Sequence, residues 1–325
     1  MIAEGPYFDE LTVGQVFDSA PGLTLTSGLA QAHRSIIGER LALPLDDGLA
    51  ASVTGDPALA SPALVWDVAI GQSTSVTHHV KANLFYRGLV FRRAPHLGDT
   101  LRSRTEVVAL RQNRAREGRR PTGLAALRIT TADQNGEPVL DFWRCAMLPL
   151  RDPAARTGHA DDLDAVGTAA STESLTAVVD GWDLDPLRGR DPGSADLAEG
   201  QVIEVGGGDV VSSAPELARL TLNVAEVHHD AAAGGGTRLV YGGHTIGLAL
   251  AQTTRALPGM ATVTGWHSCD HLGPVFEGDT LRSAITVERL EPARNGTLAH
   301  LRSRVTADGA EQRDVLDWRF AALLP

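Results

Sequence analysis

The sequence predicts an α+β fold in which a sheet surrounds a buried helix, and in which this unit occurs twice. Three observations support the prediction: an internal duplication, an almost wholly apolar helical segment in each half, and strand periodicity after each helix. The chain has 325 residues, which suits about two domains of roughly 150 residues each. Two similar units are therefore expected.

The duplication is visible as segments that recur in the same order. The run GDTLRS begins at Gly98 and again at Gly278. A glutamine precedes each run, at Gln72 in AIGQSTS and at Gln252 in ALAQTTR. The segment VLDFWRCAMLP of the first half also resembles VLDWRFAALLP of the second. Chance is a poor explanation for this many matches in one order.

A stretch rich in Asp, Ala, Pro, Gly and Thr separates the two copies. Such a composition is typical of a long surface connection, which two packed halves would need. The sequence therefore predicts a first domain over residues 1–150, a linker over 151–198 and a second domain over 199–325.

Each half contains one helix that should be buried. Ser61 followed by Pro62 is typical of a helix start, because serine caps the first turn and proline fits its first position. In the second half the helix is predicted to begin near Gly243 and to continue through TIGLALAQTT. That segment is apolar nearly all round, which favours a helix enclosed by protein on every side.

The segments after each helix have the period of strands. In DTLRSRTEVVAL, Leu101, Ser103 and Thr105 alternate with Arg102 and Arg104. Alternation with period two and β-branched residues predicts half-buried strands. One buried helix followed by several long antiparallel strands is the α+β arrangement of each unit.

Composition excludes several classes of protein. The net charge of −11 argues against nucleic acid as a partner, since duplex binding usually needs a basic face. The first residues, MIAEGPYFDE, have neither a basic leader nor an apolar segment, and no apolar run approaches the ~20 residues of a membrane span. We expect a cytoplasmic protein without a membrane partner, in which Cys145 and Cys269 are reduced core residues.

With these segments in place, the chain resembles the MaoC-like double-hotdog hydratases and dehydratases in both halves. VWDVAIGQST and KANLFYRGLVF are similar to actinobacterial double-hotdog proteins of unclear function. VYGGHTIGLALAQTTRALP and GWHSCDHLGPVFEGDTLRS resemble mesaconyl-CoA hydratases, also called β-methylmalyl-CoA dehydratases. The resemblance implies two hotdog domains that share one sheet. It also implies reversible addition of water to an α,β-unsaturated acyl thioester, with a branched or dicarboxylic acyl group.

The resemblance also implies one competent site, in the C-terminal half. In the family an aspartate stands five positions before a histidine, and a glycine at the helix start offers its amide to the thioester carbonyl. His228 matches the histidine and Gly243 the glycine, while Asn223 stands at the aspartate position. In the first half Gly28 stands at that position before His33, so this half is expected to be non-catalytic.

Asn223 matters because an amide cannot ionise and so cannot act as a base. Addition of water to a thioester needs a base and an acid, and histidine suits both roles near neutral pH. Either His228 carries out the proton transfers alone, or a carboxylate assists, or the chain binds thioesters without turnover. The candidate carboxylates are Glu226, Asp230 and Asp270.

Further residues are candidates for binding substrate. His244 lies one residue into the predicted helix and would contact substrate or cap the turn. In the strand WHSCDH, strict alternation predicts two faces. Trp266, Ser268 and Asp270 would lie on one face, and His267, Cys269 and His271 on the other. One of these faces should line a pocket or the interface between the halves. From this strand we select His267 and Asp270.

The loop RQNRAREGRR is basic in an otherwise acidic chain. Arg119 and Arg120 would either contact the phosphates of coenzyme A or form a solvated hairpin tip. The expected partner is an acyl-CoA or acyl-carrier thioester, with coenzyme A as part of the substrate, and a homodimer is a further expectation. No separate cofactor is expected, and no metal at His228–Asp230, because adjacent histidines rarely share one ion. The closest alternative functions are a hotdog thioesterase and a non-catalytic acyl-CoA binding module.

Overall fold

The computed structural model describes residues 5–188, 197–308 and 311–325. The helices in these residues are α1 (Ser27–Ile37), α2 (Asp47–Thr54), α3 (Pro62–Gln72), α4 (Thr172–Thr176), α5 (Ala214–Leu220) and α6 (Gly242–Ala256). The strands are β1 (Val16–Phe17), β2 (Leu23–Thr24), β3 (Ala82–Phe91), β4 (Thr100–Gln112), β5 (Thr122–Ala132), β6 (Pro138–Pro149), β7 (Val202–Glu204), β8 (Asp209–Val210), β9 (Thr262–His271), β10 (Thr280–Ala293), β11 (Gly296–Asp308) and β12 (Arg313–Leu324). None of the helices in the described part is long and apolar enough to cross a membrane.

The strands form one antiparallel 12-stranded sheet, in which ten strands follow the order β1-β4-β5-β6-β3-β9-β12-β11-β10-β7, while β2 pairs with β4 and β8 pairs with β10. The two halves meet where β3 pairs with β9, with Tyr86 opposite Cys269. This pairing confirms that the halves join into one sheet, and it removes two strand edges that would otherwise be open. Each half places one long helix against its part of the sheet, so the fold is a double hotdog.

The central helices are enclosed as their composition predicts. α3 follows Ser61, whose side chain accepts a hydrogen bond from the amide of Ala63, and every residue of α3 is buried. α6 is buried from Gly243 to Thr254 and begins at Gly242, one residue before the predicted start. The two helix starts therefore lie where the sequence places them, within the usual uncertainty of helix ends.

The duplicated glutamines form the same hydrogen bond in both halves. Gln72 Nε2 donates to the carbonyl oxygen of Leu101 at 2.9 Å, and Gln252 Nε2 donates to that of Leu281 at 2.8 Å. Each bond ties the end of a central helix to the first long strand of its unit. Buried side-chain amides need such partners, which explains why glutamine recurs at this place in the repeat.

β9 departs from strict alternation because it contains a bulge. Trp266 lies opposite Phe320, while Cys269 lies opposite Trp318, so β9 has one residue more than β12 between these pairs. Trp318 and Phe320 stack with ring centroids 3.8 Å apart, so their side chains lie on the same face of the sheet. Residues opposite each other on neighbouring strands share a face, so Trp266 and Cys269 lie on that face as well. The predicted separation of Trp266 from Cys269 is therefore wrong, because a bulge shifts the alternation by one residue.

The connection between the halves covers the outer face of the sheet. Leu163 is buried against Phe85 and Cys145, and Leu175 is fully buried in a separate apolar cluster. Cys145 and Cys269 are both free and buried. Residues 189–196, which belong to the predicted linker, lie outside the described residues.

Candidate active site

A cavity of about 370 Å³ lies between the two halves. The N-terminal half contributes the end of α3, the segment that follows it, part of β3 and Arg144 of β6. The C-terminal half contributes Asn223, His228, the start of α6 and His271 at the end of β9. The N-terminal half thus helps to form the cavity, although the predicted proton-transfer residue comes from the C-terminal half.

His228 is held as a neutral base at the cavity wall. Its Nδ1 donates a hydrogen bond to the carbonyl oxygen of Leu239 at 2.8 Å. Within the described part of the chain its other nitrogen, Nε2, has no hydrogen-bond partner. Burial lowers the pKa of His228 to about 4, so the ring is uncharged near neutral pH. The remaining lone pair on Nε2 can accept a proton from a bound molecule.

Asn223 presents a donor to the same cavity. Its Oδ1 accepts a hydrogen bond from the amide of Ala225 at 3.0 Å, which fixes the orientation of the side chain. Its Nδ2 is buried and has no partner among the described residues. A buried donor without a partner is costly, so this group is well suited to hold a polar atom of a ligand.

The start of α6 brings free backbone amides to the cavity. Tyr241 precedes the helix and Gly242 is its first residue, and both line the cavity. No side chain of the described residues caps this start. The amide of His244 donates to the carbonyl oxygen of Tyr241 at 2.9 Å, while those of Gly242 and Gly243 stay available among the described residues. Gly242 is needed because a Cβ there would lie 2.7 Å from the ring of His271.

From the sequence, Gly243 is expected to offer its amide to a thioester. The structure gives another reason for glycine here, which is a close contact with protein. Its Cα faces Asp67 of α3, because an added Cβ would lie 2.1 Å from Asp67 Oδ1. Gly243 itself is not among the residues that line the cavity. The close contact that excludes a side chain at Gly243 is therefore with protein, and its role as a donor to a thioester stays a prediction.

Three residues of the cavity were not selected from the sequence. His271 faces inward, and burial lowers its pKa to about 4. Arg144 is buried in the wall, and Lys81 is exposed at the cavity. Signals for the two cations were present: Lys81 is the only lysine of the chain, and Arg144 departs from the duplicated segment, which has Phe320 at this place.

Other predicted substrate-binding residues lie elsewhere. His244 is fully buried, and neither ring nitrogen has a partner among the described residues. The side chain of His267 contacts that of His300 across β12, with His267 Nε2 2.8 Å from His300 Nδ1. Asp270 lies opposite Phe85 in the sheet. None of these side chains lines the cavity. In β9 the bulge turns His271 inward in place of Asp270.

The two arginines selected from the basic hairpin are not among the residues that line the cavity. Arg120 donates two hydrogen bonds to the carbonyl oxygen of Leu150, at 3.1 and 2.8 Å, and lies over the ring of Tyr7. Arg119 is exposed, and neither arginine lines the cavity. Arg120 is thus held by the backbone of its own half, and a contact of this loop with the phosphates of coenzyme A stays a prediction.

None of the candidate carboxylates lines the cavity with His228. Glu226 lies 3.2 Å from His79, and Asp230 accepts a hydrogen bond from the amide of Ala232. No aspartate or glutamate is found among the described residues that line the cavity. Of the alternatives left open by the sequence, proton transfer through His228 without a carboxylate is the one that this geometry favours.

The equivalent histidine of the N-terminal half is enclosed by protein. His33, which corresponds to His228 in the repeat, is buried with its Nε2 2.8 Å from Asp67 Oδ2. The hydroxyl of Tyr241 lies 3.3 Å from Asp67 Oδ1. Protein groups therefore occupy the space around this imidazole.

Metal-ligand spacing occurs outside the predicted site. Ligand atoms of His78, His79 and Glu226 lie within 4.8 Å of one another. This group does not include His228 or Asp230. The consecutive residues His228, His229 and Asp230 therefore do not form a cluster of metal-ligand atoms in the described structure. His79 also stacks on Tyr7 with ring centroids 4.1 Å apart.

Two joined hotdog units, with an imidazole and a helix start at one cavity, define an acyl-thioester enzyme of the double-hotdog class. No family model matches the chain. β-Methylmalyl-CoA dehydratase of Chloroflexus aurantiacus is 30% identical over 315 residues, 93% of this chain and 88% of that protein. The chain belongs to the MaoC-like double-hotdog hydratases and dehydratases, which are hydro-lyases.

Solved structures agree with this family. A conserved hypothetical protein from Mycobacterium tuberculosis, essential for bacterial survival during infection, has a double hotdog fold and is 53% identical, with a TM-score of 0.91 and 99% of both chains covered. A protein from Chloroflexus aurantiacus described as a MaoC domain dehydratase is 25% identical, with a TM-score of 0.87 over 100% of this chain and 98% of that one. The likeness therefore extends over both hotdog units.

Proposed function

We propose that this chain catalyses the reversible addition of water to an α,β-unsaturated acyl-CoA. The observation that carries the proposal is the arrangement at one cavity of a neutral His228 and an uncapped helix start at Gly242. The first can accept a proton, and the second can stabilise negative charge. Addition of water to an enoyl thioester requires both.

In hydration, His228 Nε2 accepts a proton from water while the water oxygen bonds to the β-carbon of the thioester. The electrons of the double bond move toward the carbonyl, so negative charge develops on the thioester oxygen. Amides at the start of α6 donate to this oxygen, and the positive end of the helix dipole adds to the stabilisation. The imidazolium then returns the proton to the α-carbon, which yields the 3-hydroxyacyl thioester and neutral His228.

Asn223 orients the reacting oxygen in this proposal. Its free Nδ2 donates to the attacking water, or to the hydroxyl of the product in the reverse direction. The acyl group is proposed to be branched or dicarboxylic, because the curated relative is named for β-methylmalyl-CoA, whose acyl group carries both features. Coenzyme A is the proposed carrier for the same reason.

The experiment is to measure hydration of crotonyl-CoA and mesaconyl-CoA by the natural chain and by His228→Ala. Loss of the base is expected to lower the rate by at least about 100-fold. His159→Ala, which changes a half-buried histidine outside the cavity, is the matched control and should retain the rate. An unchanged rate in His228→Ala would remove this histidine from the mechanism.

A non-catalytic acyl-CoA binding module is the second candidate, and Asn223 is the observation that favours it. If the natural chain binds butyryl-CoA but hydrates neither enoyl thioester, this second function is supported. Asn223→Asp then provides a further test, because it introduces the ionisable group that the family usually has at this position. Activity gained only in that variant would identify residue 223 as the reason for the inactivity.

A further inference from the structure

Arg144 is a buried cation without a carboxylate partner among the described residues. Its Nη2 donates to the carbonyl oxygen of Ser73 at 3.0 Å and to Thr77 Oγ1 at 2.8 Å, and its Nη1 lies 3.4 Å from Asn83 Oδ1. Its Nε is buried without a partner. The side chain is only 3% exposed, and a buried charge normally requires an opposite charge.

The duplication shows that the fold itself does not need an arginine here. Arg144 pairs with Leu127 on the neighbouring strand, and Phe320 pairs with the corresponding Leu301. Phe320 is fully buried and stacks on Trp318. One half therefore fills this inward position with an apolar ring, as expected for a core position, while the other half holds a guanidinium there.

Other arginines that project from these strands are paired. Arg128 bonds to Asp141, and the equivalent Arg302 bonds to Asp317. In the described structure the other arginines of β5, β6, β11 and β12 are each paired with a carboxylate. Arg144 differs because it lines the cavity, where a bound molecule can supply the missing anion.

The charges of the cavity point in the same direction. Its described lining contains Arg144 and Lys81 but no aspartate or glutamate, although the whole chain carries a net charge of −11. The two cations also differ in position, since Arg144 is buried while Lys81 is exposed. An anionic group that reaches Arg144 would be enclosed by protein, whereas one beside Lys81 would remain in contact with water.

We propose that Arg144 is a specificity-determining residue that binds a free carboxylate on the acyl group of the thioester. This inference rests on the proposed function, because it assumes that the cavity between the halves holds an acyl-CoA. The unpaired Nε–H supplies the donor, and Ser73 and Thr77 hold the guanidinium in place through Nη2. Acyl groups that end in a carboxylate are then favoured over neutral ones of the same length.

Binding of two saturated thioesters tests this selection without any turnover. Succinyl-CoA and butyryl-CoA share coenzyme A and acyl length, but only the first ends in a carboxylate. Calorimetric titration of the natural chain is expected to give at least tenfold tighter binding of succinyl-CoA. Arg144→Met should remove at least tenfold of the succinyl-CoA affinity and change that of butyryl-CoA by less than threefold.

Two further variants separate selection from damage to the fold. Thr77→Val removes one acceptor that orients the guanidinium, so it should cause a smaller loss that is again specific for succinyl-CoA. Lys81→Met removes a cation from the exposed part of the cavity, and it should affect the two thioesters equally. Butyryl-CoA binding by each variant reports whether its cavity remains intact.

The outcomes distinguish the two proposals. If the natural chain binds both thioesters equally, or if Arg144→Met weakens both to the same degree, Arg144 does not select a carboxylate. A selective loss in Lys81→Met in place of Arg144→Met would also overturn the assignment. If the natural chain binds neither thioester and hydrates no enoyl-CoA, the proposed function fails, and this inference fails with it.

Discussion

Asp67 of the N-terminal half rests against Gly243 in the first turn of the C-terminal central helix, where an added Cβ would lie 2.1 Å from Asp67 Oδ1. The carboxyl group is held by His33 at 2.8 Å and by the hydroxyl of Tyr241 at 3.3 Å. A carboxylate near the start of a helix is favourably placed relative to the helix dipole. The polar pair of the N-terminal half therefore packs against the helix start that forms part of the candidate site.

Gly243→Ala should damage this contact. The new methyl group would overlap with Asp67 and with the ring of Tyr241, which a Cβ would approach to 2.6 Å. The expected loss is about 1–3 kcal/mol in the free energy of unfolding, as for other overpacked cores. Urea unfolding measures it, and Gly206→Ala is the control because nothing lies within 4 Å of a Cβ there. Equal stability of the two variants would contradict the contact.

His33→Ala should cost far more than loss of an exposed histidine in a similar pair. His33 and Asp67 are both buried, so the variant leaves a carboxyl group without its imidazole partner, at a cost of about 3 kcal/mol. His96 forms the matched pair with Asp56 at 2.9 Å, but both side chains are about one-third exposed or more. His96→Ala should therefore cost less than about 1 kcal/mol. Similar costs in urea unfolding would show that burial of the first pair is unimportant.

The hydration rate should depend on pH through His228. Only the neutral ring can accept a proton, and burial lowers the pKa of His228 to about 4. We expect kcat/KM to stay level from pH 8 down to about 6 and to fall only as the pH approaches 4. Initial rates of hydration over this range provide the measurement. A decline centred near the ordinary histidine pKa of about 6.5 would contradict a buried neutral base.

The stability of the fold should also fall with acid because of its buried histidines. Burial lowers the pKa of His244 to about 4, so between pH 4 and about 6.5 the unfolded chain binds a proton that the folded chain does not. The free energy of unfolding therefore decreases as the pH falls through this window, by up to about 1.4 kcal/mol per pH unit for this residue. His244→Leu should reduce that slope in urea unfolding at pH 7, 6 and 5.

The comparison with the natural chain isolates the contribution of His244. The carboxyl groups are the same in both proteins, so their titration cancels in the difference between the slopes. His159→Gln is a control because His159 is half-buried and lies outside the cavity. It should leave the slope closer to that of the natural chain than His244→Leu does. The same slope in His244→Leu and in the natural chain would show that His244 does not resist protonation.

Much of the architecture follows from local patterns. The duplication, the apolar helices and the alternation in the strands predicted two similar units, because each pattern reflects which side chains must be buried, and the family resemblance implied that they share one sheet. The glutamines at 72 and 252 illustrate this, since each satisfies the same strand carbonyl in its half. The segment with Asn223 and His228 was identified through the family resemblance, because His228 matches the position of the family's histidine.

The remaining features depend on contacts between residues that are distant in the chain. A one-residue bulge turned His271 into the cavity and left Asp270 outside, and local periodicity does not reveal where a bulge occurs. Arg144 reached the cavity of the other half only because β3 and β9 join the two units. The sequence by itself determined the two similar units, and its resemblance to the family indicated His228 as the candidate base. Only the packing of one unit against the other decided which side chains share the enclosed space, because that space is formed by both.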